Sequence, residues 1–115
     1  MILEYAKVRQ SAISPERANP SDAGLDVFFS PETVISVVLN PGDSKILPTG
    51  LKFGVPHGYM LEVKNRSSVA AKRSLVVGAC IVDSGYAGEV FINLHNVGTK
   101  LQVLSAGDKI AQLVM

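Results

Sequence analysis

The chain has one cysteine in 115 residues, no tryptophan and only 6% aromatic residues. A lone Cys80 cannot close an internal disulfide or build a thiolate metal cage, so a reduced, cytoplasm-like compartment is the expectation. Excess charge of either sign is also missing: eleven Lys and Arg oppose ten Asp and Glu, for a net charge of +1. A nucleic-acid partner bound by broad phosphate neutralisation is therefore not expected. No apolar run approaches the roughly 18 residues of a membrane span. The opening Met1-Ile-Leu-Glu-Tyr lacks the basic flank and apolar stretch of a secretory signal, so none is expected. Long helical periodicity, internal repeats, low-complexity tracts and linkers are likewise missing. With 47% hydrophobic and 18% charged residues, disorder is excluded. One domain over residues 1–115 is expected, with a core small enough that oligomerisation would help it.

What the sequence does have is short β-branched runs bounded by turns. They cover Val34–Leu39, Lys45–Leu47, Leu51–Val55, Tyr59–Val63, Leu75–Val77, Ala79–Val82, Glu89–Leu94, Leu101–Leu104 and Lys109–Val114. Asn40-Pro41-Gly42-Asp43, Pro56-His57-Gly58, Asp83-Ser84-Gly85, Asn96-Val97-Gly98 and Ala106-Gly107-Asp108 separate them with turn chemistry. Such spacing predicts an all-β sandwich or barrel of the jelly-roll kind. One exception is Ser67 to Arg73, where a serine N-cap candidate precedes good helix formers and predicts a short helix.

Four segments could carry chemistry. Lys64 to Arg73 holds Lys64, Arg66, Lys72 and Arg73 with no acid between them. With Ser67 and Ser68 at a helix start it supplies cations, hydroxyls and backbone N–H groups, the parts of an anion site; a solvated basic turn is the alternative. Asp83 opens a turn between two apolar strands that read as a hairpin. It is either a turn-forming Asx residue or an ionised base at a pocket mouth, with the Tyr86 ring close by. Asp26 in Ala23-Gly24-Leu25-Asp26-Val27 lies where a strand starts, and Gln112 places an amide in the apolar strand after Gly107-Asp108. His57 and His95 lack ligand-like spacing, and Cys80 reads as a small buried hydrophobe.

In this order the four segments resemble the trimeric dUTP pyrophosphatase (dUTPase) family. Ala23-Gly24-Leu25-Asp26-Val27 resembles its first motif, Arg66-Ser67-Ser68-Val69-Ala70 its second, Ile81-Val82-Asp83-Ser84-Gly85-Tyr86-Ala87-Gly88-Glu89 its third, and Gly107-Asp108-Lys109-Ile110-Ala111-Gln112-Leu113 its fourth. The resemblance implies a distorted jelly-roll, β-clip-type barrel with one short helix, assembled as a homotrimer with three sites at subunit interfaces. It also implies Mg²⁺-assisted hydrolysis of dUTP to dUMP and pyrophosphate by in-line water attack. On that resemblance Asp83 is the general base, and Tyr86 lies under the deoxyribose and excludes a 2′-hydroxyl. The backbone from Val77 through Ile81 and Val82 reads the uracil edge, and Arg66, Ser67 and Ser68 hold the phosphates. Gln112 holds a water or phosphate oxygen. Asp26 supports the water shell of a metal held by the triphosphate rather than by direct protein ligands.

Two departures stand out. Ser68 replaces the glycine usual in the second motif, and Ala87 stands where a larger, often basic residue is common. The residues of this chain stop at Met115, directly after the fourth motif, where the family continues into a glycine-rich arm. The rival chemistry is that of the related dCTP deaminases, whose second motif also reads Arg-Ser-Ser. Those enzymes need a glutamate where this chain has Asn93, and an amide cannot shuttle protons. A non-catalytic trimer that binds dUTP or a protein is the second alternative.

Overall fold

The computed structural model describes residues 2–115, with eleven strands and one helix among them. In chain order these are β1 (Glu4–Lys7), β2 (Leu25–Phe28), β3 (Ser36–Leu39), β4 (Ser44–Pro48), β5 (Leu51–Gly54), β6 (Met60–Lys64), α1 (Ser67–Arg73), β7 (Leu75–Val77), β8 (Ile81–Asp83), β9 (Phe91–Asn96), β10 (Gln102–Ser105) and β11 (Lys109–Val114). Every pairing is antiparallel, in sheets ordered β2-β11-β6-β8, β4-β9-β7, β1-β5 and β3-β10. This is the expected all-β, jelly-roll-type fold with one short helix.

Alternation in the sequence becomes alternation of faces. In β6, Leu61 and Val63 point inward while Met60 and Lys64 face out; in β9, Ile92, Leu94 and Asn96 are buried. Leu39, Leu51, Leu61, Ile92, Leu94 and Leu104 reach zero exposure and form the centre of the core. Two buried polar side chains serve as ties. Asn96 Nδ2 donates to the carbonyls of Leu39 and Lys100, both at 2.9 Å, and its Oδ1 accepts Gly98 N at 3.0 Å. Thr49 Oγ1 donates to Val90 O at 2.6 Å.

All nine expected runs contain a strand, with shifts at their ends. Ala79 and Cys80 lie outside β8, which begins at Ile81. Nor do the strands on either side of the Asp83 turn form the expected hairpin: β8 pairs with β6, whereas β9 pairs with β4 and β7, so β7 and β8 also lie in different sheets. The apolar residues of the two runs are drawn into separate layers, so residues 78–80 bridge the layers instead of capping a ribbon. β1 has no counterpart among the expected runs because all four of its residues are exposed.

The helix spans the expected residues, but its cap does not match. Arg66 is the N-cap, with φ −87° and ψ 132° and no side-chain cap bond, so Ser67 is already in the first turn. Ser74 ends the helix in the left-handed region at φ 54°, donating its N–H to Ala70 O at 3.2 Å. Lys72 and Arg73 in the last turn suit the negative end of the helix dipole.

β11 carries a bulge between Lys109 and Ala111. Ile110 and Ala111 consequently both turn inward, and Gln112 emerges opposite Asp26 of β2 on one side and Lys64 of β6 on the other.

Leu94 is fully buried in the middle strand of its sheet. Leu94→Ala is expected to lower unfolding stability by about 2–5 kcal/mol, read as a drop in the urea midpoint with an unchanged slope.

Candidate active site

Two clusters on the four-stranded sheet collect the polar groups singled out in the sequence. The first surrounds a cavity of about 230 Å³ lined by Val63, Cys80, Val82, Asp83, Tyr86 and Phe91, with Ile81 also on its wall. Asp83 ends β8 and opens a turn closed by Tyr86 N donating to Asp83 O at 3.1 Å. That bond uses the backbone, not the side chain. Among the described residues the exposed Asp83 carboxylate has no hydrogen-bond or ion-pair partner, so the Asx role is not the one it plays here. The half-exposed Tyr86 ring borders the cavity and its hydroxyl donates to Glu89 O at 2.6 Å. A side chain at Gly88 would come within 2.9 Å of that hydroxyl, so glycine there lets the ring lie down.

Ala79 and Cys80, which also line the cavity, belong to the segment Gly78–Cys80 between the sheets. Gly78 N donates to Asn93 O at 2.9 Å, and Val63 N donates to Cys80 O at 2.7 Å. Any side chain at Gly78 would collide with Asn93 Oδ1 and His95 Nε2. Those two atoms lie 2.9 Å apart, so the Asn93 amide is committed to the floor of this segment. Val77 does not line the cavity, and its N–H is already spent on Asn65 Oδ1 at 2.8 Å. Cys80, expected inside the core, is exposed at the cavity because residues 78–80 are a connection and not a strand.

The second cluster gathers Gly24, Asp26, Arg66, Ser67 and Gln112 around a cavity of about 140 Å³. Asp22 also borders it, with its carboxylate turned onto Asn19 N at 2.9 Å. Asp26 is buried, and each of its oxygens meets a cation: Arg66 Nε at 3.0 Å and Lys109 Nζ at 3.4 Å. Such a pairing is what makes a buried carboxylate tolerable. Using Nε this way leaves both terminal guanidinium nitrogens of Arg66 without a partner among the described residues. The Ser67 hydroxyl is also unpartnered among them, and Gln112 donates only its amide, to Asn65 O at 2.9 Å. Ser68 is exposed and does not line this cavity. Most of the basic run is neutralised in place: Lys64 meets Glu62 at 3.2 Å and Arg73 meets Asp108 at 3.5 Å.

The two clusters do not converge within one chain. Asp83 is opposite Met60 at the start of β6, whereas Gln112 is opposite Lys64 at its end, and Asp26 lies beyond Gln112. Strand geometry then separates Asp83 from Asp26 by about 13 Å along the strands and about 14 Å across them. Asn65 links Val77, outside the first cavity, to Gln112 of the second: its Oδ1 accepts Val77 N and its carbonyl accepts Gln112 Nε2. Sequence reasoning passed over it, as it did Lys109 and Phe91; an amide directly before Arg66 was the available signal.

Comparison with known proteins decides the family. A family model described as dUTPase matches residues 10–115. The chain belongs to the dUTPase family. A similar relative is the deoxyuridine 5'-triphosphate nucleotidohydrolase of Gloeobacter violaceus, 42% identical over 103 residues that cover 88% of this chain and 69% of the relative. Among solved structures, the dUTPase from phage phi11 of S. aureus superposes with a TM-score of 0.89 at 28% identity, covering 99% of this chain and 88% of the phage chain. A mutant of that phage dUTPase, with a TM-score of 0.89 at 27% identity over 99% of this chain and 89% of its own, was solved with a structural Mg(II) ion coordinated. In this dUTPase-family chain no three His, Cys, Asp or Glu side chains gather as a metal-binding group among the described residues. No described helix is long and apolar enough to cross a membrane.

Asp26→Ala removes the shared partner of Arg66 and Lys109 from a buried position. Lys109 keeps Glu16 at 3.4 Å and both cations reach solvent, so stability is expected to fall by about 1–3 kcal/mol, measured by chemical denaturation; a loss of less than half a kcal/mol would show that the ion pairs are slack.

Proposed function

We propose that this chain hydrolyses dUTP to dUMP and pyrophosphate. Polar groups left unspent among the described residues carry the reading: the Asp83 carboxylate beside one cavity, and the Arg66 guanidinium nitrogens and Ser67 hydroxyl at the other. A fold spends its polar groups internally unless something else is to meet them. An ionised carboxylate fits deprotonation of a water. The cation and hydroxyl fit a polyphosphate, where terminal guanidinium nitrogens can bond two oxygens at once. In-line displacement at phosphorus needs a positioned water more than a covalent nucleophile, which suits a structure in which no serine or cysteine side chain is hydrogen-bonded to a His, Asp or Glu side chain among the described residues.

In this reading Asp83 accepts the proton of the attacking water, and Tyr86 lies against the deoxyribose. The backbone of Ile81 and Val82, with the segment from Val77, reads the pyrimidine edge, although the Val77 N–H has to be shared with Asn65. Arg66, Ser67 and Gln112 hold phosphate oxygens, whereas Ser68, which lines neither cavity, has no contact in this reading. The donor set fits a Mg²⁺ carried by the triphosphate: the Asp26 oxygens already face two cations at 3.0 and 3.4 Å and can reach further only through water. The ion, when bound, neutralises phosphate charge and favours departure of pyrophosphate.

One chain holds the halves too far apart for a single triphosphate to bridge, which supports a homotrimer whose sites each combine two copies. A single domain over residues 1–115 and a reducing, cytoplasmic setting complete the reading; the exposed, unpaired Cys80 suits the latter. Deamination of dCTP is disfavoured because Asn93 is bound to His95 and carries no transferable proton.

Asp83 is exposed, so Asp83→Asn leaves folding intact. Pyrophosphate release from dUTP with Mg²⁺ is expected to drop by about 10²–10⁴-fold, and equal rates for the two proteins would end the proposal. Sedimentation should give about three times the 12.2 kDa chain mass; a monomer at micromolar concentration would contradict the shared site. dCTP is expected to release no ammonia.

A further inference from the structure

Residues 84–89 run from the end of β8 toward β9 and carry Tyr86. Its hydroxyl is fixed by the carbonyl of Glu89, so the ring can be no better placed than Glu89 itself. The Glu89 side chain is held by a residue eighty positions away. Arg9 Nη1 donates to Oε1 at 2.9 Å and Nη2 to Oε2 at 3.0 Å, a parallel two-pronged bond. Arg9 Nη2 also donates to Ser30 O at 2.6 Å, and Glu89 Oε2 accepts Gly50 N at 2.9 Å. The side chains are only 18% and 14% exposed, so solvent and salt screen this pair far less than a surface one. Hydrogen bonding to Glu89 raises the Arg9 pKa above its ordinary value against the opposing cost of burial. Arg9 Nε is buried with no partner among the described residues, so the guanidinium is oriented for Glu89 at the expense of its own complete solvation. Arg9 is itself steadied by backbone bonds on either side, Val8 N to Gly50 O at 2.8 Å and Ala12 N to Arg9 O at 3.1 Å.

We propose that Arg9 is a positioning residue for sugar discrimination: by clamping the Glu89 carboxylate it fixes the carbonyl that holds the Tyr86 hydroxyl, and so the gap that admits a 2′-deoxyribose and refuses a ribose. The assignment rests on the reading that Tyr86 faces the sugar. Excluding one hydroxyl depends on a wall that does not yield, and a loop that drifts by an ångström would admit it. Arginine is required because a lysine ammonium cannot make two parallel bonds to the carboxylate while holding Ser30 as well. The uracil-reading segment has its own anchors at Asn93 and Val63, so base discrimination is independent of this clamp.

Two measurements on the full chain with Arg9→Lys test this. In the first, kcat/KM is compared for dUTP, UTP and dTTP. The preference for dUTP over UTP is expected to fall roughly tenfold, chiefly through a lower KM for UTP, while rejection of dTTP holds. Equal erosion of both preferences would mean a merely structural role and overturn the proposal. In the second, the three tyrosines are labelled as 3-fluorotyrosine, and the Tyr86 fluorine resonance is assigned by its loss in Tyr86→Phe. That resonance is expected to shift or broaden in Arg9→Lys while Tyr59 stays still. An unmoved resonance overturns the clamp. A moved resonance with an unchanged dUTP-to-UTP ratio keeps the clamp and overturns the sugar-facing reading of Tyr86. Should Arg9→Lys fail to fold, Glu89→Gln, which can still accept Gly50 N, is read the same way.

Discussion

Ile110 is one residue more than the β2–β11 ladder needs, and the phase of the whole phosphate-side cluster follows from it. Strand alternation would otherwise send Ile110 and Ala111 to opposite faces. The bulge puts both in the core and restores the outward phase at Gln112, directly across from Asp26. Because β11 is paired on both flanks, the same shift also sets Gln112 against Lys64, one residue before Asn65 and two before Arg66. Three segments distant in sequence thus meet by backbone register, and their side chains need only small adjustments to form ion pairs.

Around that register the chain divides its polar groups between those that hold the fold and those that are kept free. Asp26 is spent on Arg66 and Lys109, Asn96 on three backbone groups, and Glu89 on Arg9 and Gly50. Buried or half-buried, these would be costly if unpaired. Asp83 and the terminal nitrogens of Arg66 lie where water can satisfy them until a ligand does. Asn65 stands between the classes: it has committed its side chain to Val77 and its carbonyl to Gln112, and so ties β7 to β11 beside the second cluster.

Much of this was legible in the sequence because it rests on local signals. Alternating apolar residues and glycine-marked turns located β3 to β11 and marked where β2 starts, and four short motifs in order pointed to several of the residues that line the two cavities, while Val77 and Ser68 line neither. Other features were hidden for physical reasons. β1 exposes all four of its residues, so no hydrophobic pattern marks it. The split of β7 and β8 between sheets depends on pairing partners far along the chain, and the exposure of Cys80 follows from that split. The Arg9–Glu89 clamp spans eighty residues and leaves no local trace. The serine expected as helix cap lost that place to Arg66, whose Nε is drawn to Asp26.

The bridging of two layers by Gly78–Cys80 has a mechanical consequence. One end of this short span is fastened to β9 and the other to β6, so its curvature measures how far apart the two layers stand. On the proposed reading of this segment, a flat ring inserted against it would work as a keystone works in an arch, resisting slippage of one layer past the other. Occupancy would then tighten the barrel as a unit and raise its resistance to heat, and loosening the barrel anywhere along β6 or β9 would blur recognition of the ring.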